Sequence, residues 1–269
     1  MAKHDLRQDG HRSMIEALEA IVADPAGAVV GLDFDGTLAP IVPDPESARI
    51  HPAGPEALAR LGGLVGSLVV ITGRPAATAV EYGSLAGVPG LVVLGHYGLE
   101  RWEGGELSSP PPHPGLITVR AELPTLVAGI AGVGIEDKGR AVAVHTRRTA
   151  SPQAAFDALA GPVAELAAET GLAVEPGKFV LELRPPGTDK GVALGDFLRE
   201  RSARSVLFAG DDLGDLAAFE AVRTCGLPGV TVFSGSAELS VEADIVVDGP
   251  AGVVELLGSI SDAIAARRP

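Results

Sequence analysis

Two aspartates are the residues most plainly placed to do chemistry. Residues 28–33 form an apolar run that ends on Asp33; Asp35 follows one residue later, and Gly36 and Thr37 come next. A second acidic group, Asp211, Asp212 and Asp215, sits in FAGDDLGD. Thr72 closes the apolar stretch SLVVIT, and Lys190 opens KGVALGDFLRE. Clustered carboxylates repel one another unless a cation sits among them. Hard oxygen ligands of this kind suit Mg²⁺, which keeps several waters and shares a substrate phosphate. The set therefore points to phosphoryl transfer, where a metal and positive donors hold the transferred group. Asp33 is the expected nucleophile, forming an aspartyl-phosphate. Asp35 is expected to protonate the leaving oxygen and later to activate water. Gly36 lets the backbone approach the phosphate closely, and Thr37 and Arg74 complete the substrate side. Thr72 and Lys190 are expected to hold phosphoryl oxygens, with Lys190 also offsetting the charge of Asp33.

These residues need elements that bring them to one place. The apolar run at 28–33, SLVVITGR, GLVVLGHYGLE, SVLFAGDD and GVTVFSG read as strands buried on both faces. Helical patterns alternate with them: SMIEALEAIVA at 13–23 with Ser13 as N-cap, GPEALARLGGLVG opening at Pro55, PAATAVEYGSLAG, TDKGVALGDFLRE and GDLAAFEAV. This alternation predicts a doubly wound parallel sheet of α/β class. In such sheets ligands bind beyond the carboxyl ends of the strands, where Asp33, Asp35, Thr72 and Asp211 are expected to converge. A DxDGT string arises by chance in a chain of this length on the order of a few times in a thousand, from average residue frequencies. Here it coincides with GDDxxD at the end of another expected strand.

The proline-rich connector PPPHPG at 110–115 marks a change of character. GIEDKGRAVAVHTRR reads as a hairpin turning near Gly139, SPQAAFDALAGPVAELAAET as a long helix, and LAVEPGKFVLELRP as a second hairpin turning at EPG. The expected organisation is a Rossmann-like core over 1–107 and 186–269, interrupted by an α+β module at 108–185.

The chain has 269 residues and a formal net charge of −14, which argues against a nucleic-acid binder. One cysteine, Cys225, rules out an internal disulfide and reads as a small core hydrophobe. No apolar run approaches the ~20 residues that span a bilayer, and the polar N-terminus carries no signal-peptide core. A soluble protein of the cytoplasm is the expectation. AGVVELLGSISDAIAARR is amphipathic and reads as core packing rather than a dimer face, so a monomer is slightly favoured.

In their order, DFDGT, the Thr of VVITGR, the Lys of TDKG and GDDLGD resemble the four motifs of haloacid dehalogenase-type phosphatases. The insertion between the second and third motifs resembles the α/β cap of the subgroup that acts on sugar phosphates. More narrowly, DFDGTLAPIVPDPESA, GHYGLE, GIEDKGRAVAVHTR and EPGKFVLELRP are similar to the trehalose-phosphate phosphatase family. The resemblance covers roughly residues 28–250. It implies Asp33 as nucleophile and Asp35 as general acid/base. It also implies Mg²⁺ on Asp33, the Asp35 carbonyl and Asp211, with Asp212 and Asp215 orienting the metal shell. The family commonly has GxHGxE, whereas this chain reads Gly95-His96-Tyr97-Gly98, so His96 and Tyr97 receive no role.

In KFVLELR, Phe179, Leu181 and Leu183 alternate with Lys178, Val180, Glu182 and Arg184. Glu136 and Lys138 share a strand face, as do His145 and Arg147, opposite Val142, Val144 and Thr146. By pattern alone this charged face is equally that of a solvated antiparallel sheet. The resemblance implies that Glu136, Lys138, Arg147, Lys178 and Glu182 bind sugar hydroxyls, with His145 beside them. The expected substrate is a small sugar phosphate, trehalose 6-phosphate foremost. Sucrose phosphate, a mannosyl-glycerate phosphate or a trehalose-phosphate analogue remain alternatives, as does a non-catalytic phosphosugar sensor on the same fold. A phosphomutase needs a further basic cluster for a second phosphate, which the chain does not display.

Overall fold

The computed structural model of the chain describes residues 2–235 and 242–267, with side chains from residue 13 onward. Two units emerge: Met1–Ser108 with Asp189–Pro269, and Ser109–Thr188. The first unit opens with helix α1 (Ala2–Ala23), strand β1 (Ala28–Leu32), α2 (Gly54–Gly62), β2 (Ser67–Ile71), α3 (Ala76–Tyr82), β3 (Leu91–Gly95) and the hairpin of β4 (Glu100–Glu103) and β5 (Glu106–Ser108). The second unit holds α4 (Gly115–Val127), β6 (Gly134–Asp137), β7 (Val142–His145), α5 (Pro152–Thr170), β8 (Ala173–Gly177) and β9 (Val180–Arg184). The first unit resumes with α6 (Lys190–Glu200), β10 (Ser205–Gly210), α7 (Leu216–Thr224), β11 (Gly229–Ser234), β12 (Ile245–Val247) and α8 (Gly249–Arg267).

Strand alternation builds the first unit as a sandwich. Val30, Leu32, Leu68, Val70, Leu207 and Ala209 face one side, where α1, α2, α3 and α8 pack through residues such as Ile21, Leu58, Ala79 and Leu257. Val29, Val69, Ile71, Val206 and Phe208 face the other, against Leu194 and Phe197 of α6 and Phe219 of α7. Both faces being covered, the strands are apolar throughout, as a parallel sheet requires. The sheet order is β12-β11-β10-β1-β2-β3-β4-β5, parallel from β12 to β3 and antiparallel from there to β5. β1 lies between β10 and β2, so the chain leaves it on one side and returns, after the insertion, on the other. The crevice beyond such a strand is where ligands bind in this class of fold.

The second unit is an antiparallel sheet, β6-β7-β9-β8. Val142, Val144, Leu181 and Leu183 pack on one face against Leu116, Val119 and Leu123 of α4 and Leu159, Val163 and Leu166 of α5.

Three expectations need correction. Ser13 lies inside α1 rather than capping it. The polar residues ahead of Met14 carry no apolar stripe, so the sequence pattern shows only the later part of the helix. GLVVLGHYGLE is not one strand: β3 ends at Gly95, and the chain turns through His96, Tyr97 and Gly98 into antiparallel β4. The second hairpin turns at Lys178-Phe179, because Gly177 pairs with Val180. Pro176 therefore lies in β8, an edge strand, where a missing N–H is tolerated. α8 buries Val253, Leu257, Ile260 and Ile264 in the core. Among the described residues no helix is long and apolar enough to cross a membrane.

Candidate active site

The Asp33 N–H donates to the Ala209 carbonyl at 2.8 Å, which extends the ladder between β1 and β10 by one rung and fixes the residue on rigid backbone. Its carboxylate is buried, with Oδ1 2.7 Å from Lys190 Nζ. Lys190 is the first residue of α6, a helix capped by Asp189, whose side chain accepts from the Val192 N–H. Its ammonium also donates to Asp215 Oδ1 at 2.7 Å. Asp215 is wholly buried and accepts through Oδ2 from the N–H groups of Asp211 and Asp212, at 2.9 and 3.2 Å. A Cβ on Gly210 would lie 2.3 Å from Asp215 Cγ, so the strand must end on glycine there.

Asp33, Asp211 and Asp215 each offer a carboxylate oxygen, and these lie within 4.8 Å of one another. Gly36, at φ 80°, is what lets Asp211 approach: a Cβ there would fall 1.9 Å from Asp211 Oδ2. Asp35 and Asp212 have their carboxylates engaged elsewhere. Asp212 caps the turn Leu213–Asp215, accepting from the Gly214 N–H at 2.8 Å. Asp35 receives a two-pronged grip from Arg74, Nε to Oδ2 at 2.7 Å and Nη2 to Oδ1 at 2.6 Å.

Burial pushes the Asp33 carboxyl well above the ordinary aspartate range; Lys190 opposes that, and the charges of Asp215 and Asp211 add to it. Burial and the charges of Asp212 and Asp215 push Asp211 up to about 7, and Asp212 is raised for the same reasons by burial and Asp215. Burial would lower the Lys190 ammonium, but Asp33 and Asp215 hold it above the usual lysine value. Among the described residues Lys190 is the one buried cation here, and it faces more negative charge than it can offset. Together with three convergent carboxylate oxygens, that deficit fits a hard divalent ion such as Mg²⁺.

Thr72, just past β2, is buried; its N–H donates to the Leu94 carbonyl at 3.0 Å, and its Oγ1 accepts from the Arg74 N–H at 3.1 Å. Thr37 is fully buried, and its Oγ1 has no partner among the described residues. The loop after Thr72 is braced by the turn that breaks β3 from β4. His96 and Tyr97 sit at φ 48° and 58°, and their N–H groups donate to the carbonyls of Arg74 and Thr72, both at 3.0 Å. Non-glycine residues held there cost of order 1–3 kcal/mol each and collect at functional sites.

In the second unit, cross-strand register places Glu136, Ala143, Glu182 and Glu175 in one row on the face opposite α4 and α5. Their partners stand beside them. Lys138 Nζ pairs with Glu182 Oε2, His145 Nε2 lies 2.9 Å from Glu136 Oε2, and Arg184 Nη2 lies 2.6 Å from Glu175 Oε2. Glu182 is only 6% exposed, and its Oε1 has no partner among the described residues. Arg147 and Lys178 are exposed at the strand ends, joined by a 3.4 Å bond from Arg147 Nη2 to the Lys178 carbonyl.

The sequence pattern described as trehalose-phosphatase matches residues 31–249. The chain belongs to the trehalose-phosphatase family. That is a family of phosphoric monoester hydrolases. A probable trehalose-phosphate phosphatase of Sinorhizobium fredii is 32% identical over 261 residues, spanning 93% of this chain and 89% of that protein. Among solved structures, the C-terminal domain of C. albicans trehalose-6-phosphate phosphatase superposes with a TM-score of 0.74 at 21% identity, covering 95% of this chain and 96% of that one. A haloacid dehalogenase-like hydrolase from Bacteroides thetaiotaomicron superposes at 0.59 with 19% identity, covering 87% and 99%. Both share the fold.

One residue of this trehalose-phosphatase core escapes the reading of motifs. Ser234, buried at the end of β11, donates from Oγ to the Gly36 carbonyl at 2.8 Å and so pins the turn that carries Asp35. It stands at the carboxyl end of a core strand, the place that singles out Asp33 and Thr72, and that position was the available signal.

Proposed function

We propose that the chain is a Mg²⁺-dependent phosphatase that hydrolyses trehalose 6-phosphate to trehalose and phosphate through an aspartyl-phosphate on Asp33. The observation that carries this reading is the buried trio of Asp33, Lys190 and Asp215, linked by 2.7 Å contacts, with Asp211 completing a three-carboxylate group. Asp33, the Asp35 carbonyl and Asp211 would hold the metal, with Asp215 and Asp212 ordering the loop behind them. Bound there, Mg²⁺ supplies positive charge that the buried acids lack and a Lewis-acid contact for phosphoryl oxygens.

Asp33 attacks phosphorus while Lys190 offsets its charge. The sugar oxygen leaves with the bonding pair and takes a proton from the Asp35 carboxyl. Water then cleaves the aspartyl-phosphate, giving its proton back to Asp35. Thr72 and Lys190, with Gly36 and Thr37 alongside, steady the phosphoryl oxygens. Glu136, Lys138, His145, Arg147, Lys178 and Glu182 read the sugar hydroxyls. The ion-paired face and Glu182 Oε1, unpaired among the described residues, support that assignment, since a buried acceptor calls for a donor that a polyol provides.

Phosphate release with Mg²⁺ across a panel of sugar phosphates tests the reading. Trehalose 6-phosphate is expected to give the highest kcat/KM, and Asp33→Asn to abolish turnover. Faster release from sucrose phosphate or mannosyl-glycerate phosphate would overturn the substrate. No release from any member would favour a sensor.

A further inference from the structure

We propose that Arg74 is a positioning residue for the Asp35 carboxyl and not a clamp on the substrate phosphate. The proposal rests on the phosphatase reading above. An arginine that binds phosphate offers its planar fork to the ligand. Here the fork is spent inside the protein: Nε and Nη2 meet the two oxygens of Asp35 at 2.7 and 2.6 Å. The remainder of the group is anchored as well. Nη1 donates to the Pro45 carbonyl at 3.0 Å, and Cζ lies 5.4 Å from the ring centroid of Phe34 and 5.5 Å from that of Tyr82.

The backbone beneath is equally constrained. The Arg74 carbonyl accepts from His96 and its N–H donates to Thr72 Oγ1, so the strained turn at His96-Tyr97 fixes the base from which the side chain extends. Phe34, whose ring lies under the guanidinium, is the residue between Asp33 and Asp35. Arg74 thereby ties the second strand-end loop to the first.

A two-pronged arginine fixes the plane of a carboxyl group as well as its place. It uses one lone pair on each oxygen and leaves the others available for a proton. Asp35 sits on a loop with its side chain 35% exposed, and the guanidinium is what holds its plane. That plane matters in one event above all. As the phosphorus–oxygen bond breaks, its electron pair stays on the sugar oxygen, and the proton on the Asp35 carboxyl passes to that oxygen. A sugar alkoxide cannot depart well without the proton, whereas nitrophenolate, a stable anion, can.

The two roles for Arg74 therefore separate by leaving group. Both substrates carry the same phosphate, so loss of a phosphate clamp slows both alike. The test compares kcat/KM for trehalose 6-phosphate and p-nitrophenyl phosphate in wild type and Arg74→Ala. That ratio reports events up to leaving-group departure and omits the shared hydrolysis of the aspartyl-phosphate. The expected result is a fall of about a hundredfold for the sugar phosphate, the scale of general acid catalysis, and under about fivefold for p-nitrophenyl phosphate. Arg74→Ala should add no further loss in an Asp35→Asn background. Should Arg74→Ala not fold, Arg74→Lys keeps the charge, loses the fork and is expected to show the same selective loss in smaller degree.

Equal falls for both substrates, or losses that add to those of Asp35→Asn, would overturn the proposal. So would wild-type activity in Arg74→Lys. If wild type releases phosphate from neither substrate, it is the underlying phosphatase reading that has failed, and this proposal with it.

Discussion

Lys190 Nζ stands 2.7 Å from Asp33 Oδ1, and both groups are buried. Among the described residues the lysine is the one buried cation beside Asp33, and it also contacts Asp215. Removing one partner of a buried pair leaves an uncompensated charge and costs about 3–5 kcal/mol. Here the loss should depend on pH, because Asp33 can take up a proton in place of the lysine's charge. Lys190→Met is expected to lose activity and to lower Tm more at pH 8 than at pH 6, measured by thermal unfolding. An equal loss at both would show that the pair contributes packing and not charge.

The raised acids predict how the metal-free protein responds to pH. Asp211 is held up to about 7, and Asp33 and Asp212 are raised too, all by burial first and neighbouring carboxylates second. A carboxyl raised on folding favours the folded state most below its unfolded pKa, and that contribution is lost as pH climbs through the folded value. The metal-free protein should therefore lose stability between about pH 4 and 7 from this group. Mg²⁺ should restore it on the alkaline side. At a hundred times its Kd an ion adds about 2.7 kcal/mol, or roughly 5–10 °C in a chain of this size. Thermal scans with EDTA and with Mg²⁺ at pH 5.5 and 8 check this. A gain that is no larger at pH 8 counts against metal binding by these acids.

Ser234 gives a prediction that motif reading misses. Its Oγ donates 2.8 Å to the Gly36 carbonyl across 198 residues of chain. Ser234→Ala leaves a buried carbonyl unsatisfied, at a cost of about 1–3 kcal/mol, which urea unfolding measures. It also frees the turn bearing Asp35, so kcat should fall roughly tenfold, equivalent to about 1.4 kcal/mol of barrier, while KM changes little. Unaltered kcat with the expected stability loss would make the bond purely structural.

What could be read in advance follows from the kind of interaction involved. β1 and β10 are apolar on both faces and stop at acids, so their burial and their rim are local patterns. The turn at His96-Tyr97-Gly98 is not, because left-handed backbone at a histidine and a tyrosine leaves no mark on hydropathy. Lys178-Phe179 escaped for the same reason: EPG looks like a turn, yet pairing of Gly177 with Val180 moves the turn onward and puts Phe179 at φ 63°. Contacts distant in sequence were out of reach as well. Arg74 was expected on the substrate side, and its grip on Asp35 spans 39 residues. Alternation did place Glu182 and Lys138 on one charged face, but register across β7 was needed to show that they pair.

That pair carries the last prediction. Glu182 uses Oε2 on Lys138 and keeps Oε1 buried without a partner among the described residues. A buried carboxylate oxygen in that condition is costly unless a ligand donates to it. Glu182→Gln keeps the size of the side chain but exchanges an oxygen for an amide that also donates. A hydrogen bond to a charged group contributes about 1.5–3 kcal/mol, so kcat/KM for trehalose 6-phosphate should fall roughly ten- to a hundredfold. p-Nitrophenyl phosphate has no hydroxyls for this face to read, and its turnover should stay within about twofold, well under 1 kcal/mol. A parallel loss on both substrates would mean that the mutation disturbs the protein at large. No loss on either would remove Glu182 from sugar recognition and leave its pairing with Lys138 as a feature of the sheet alone.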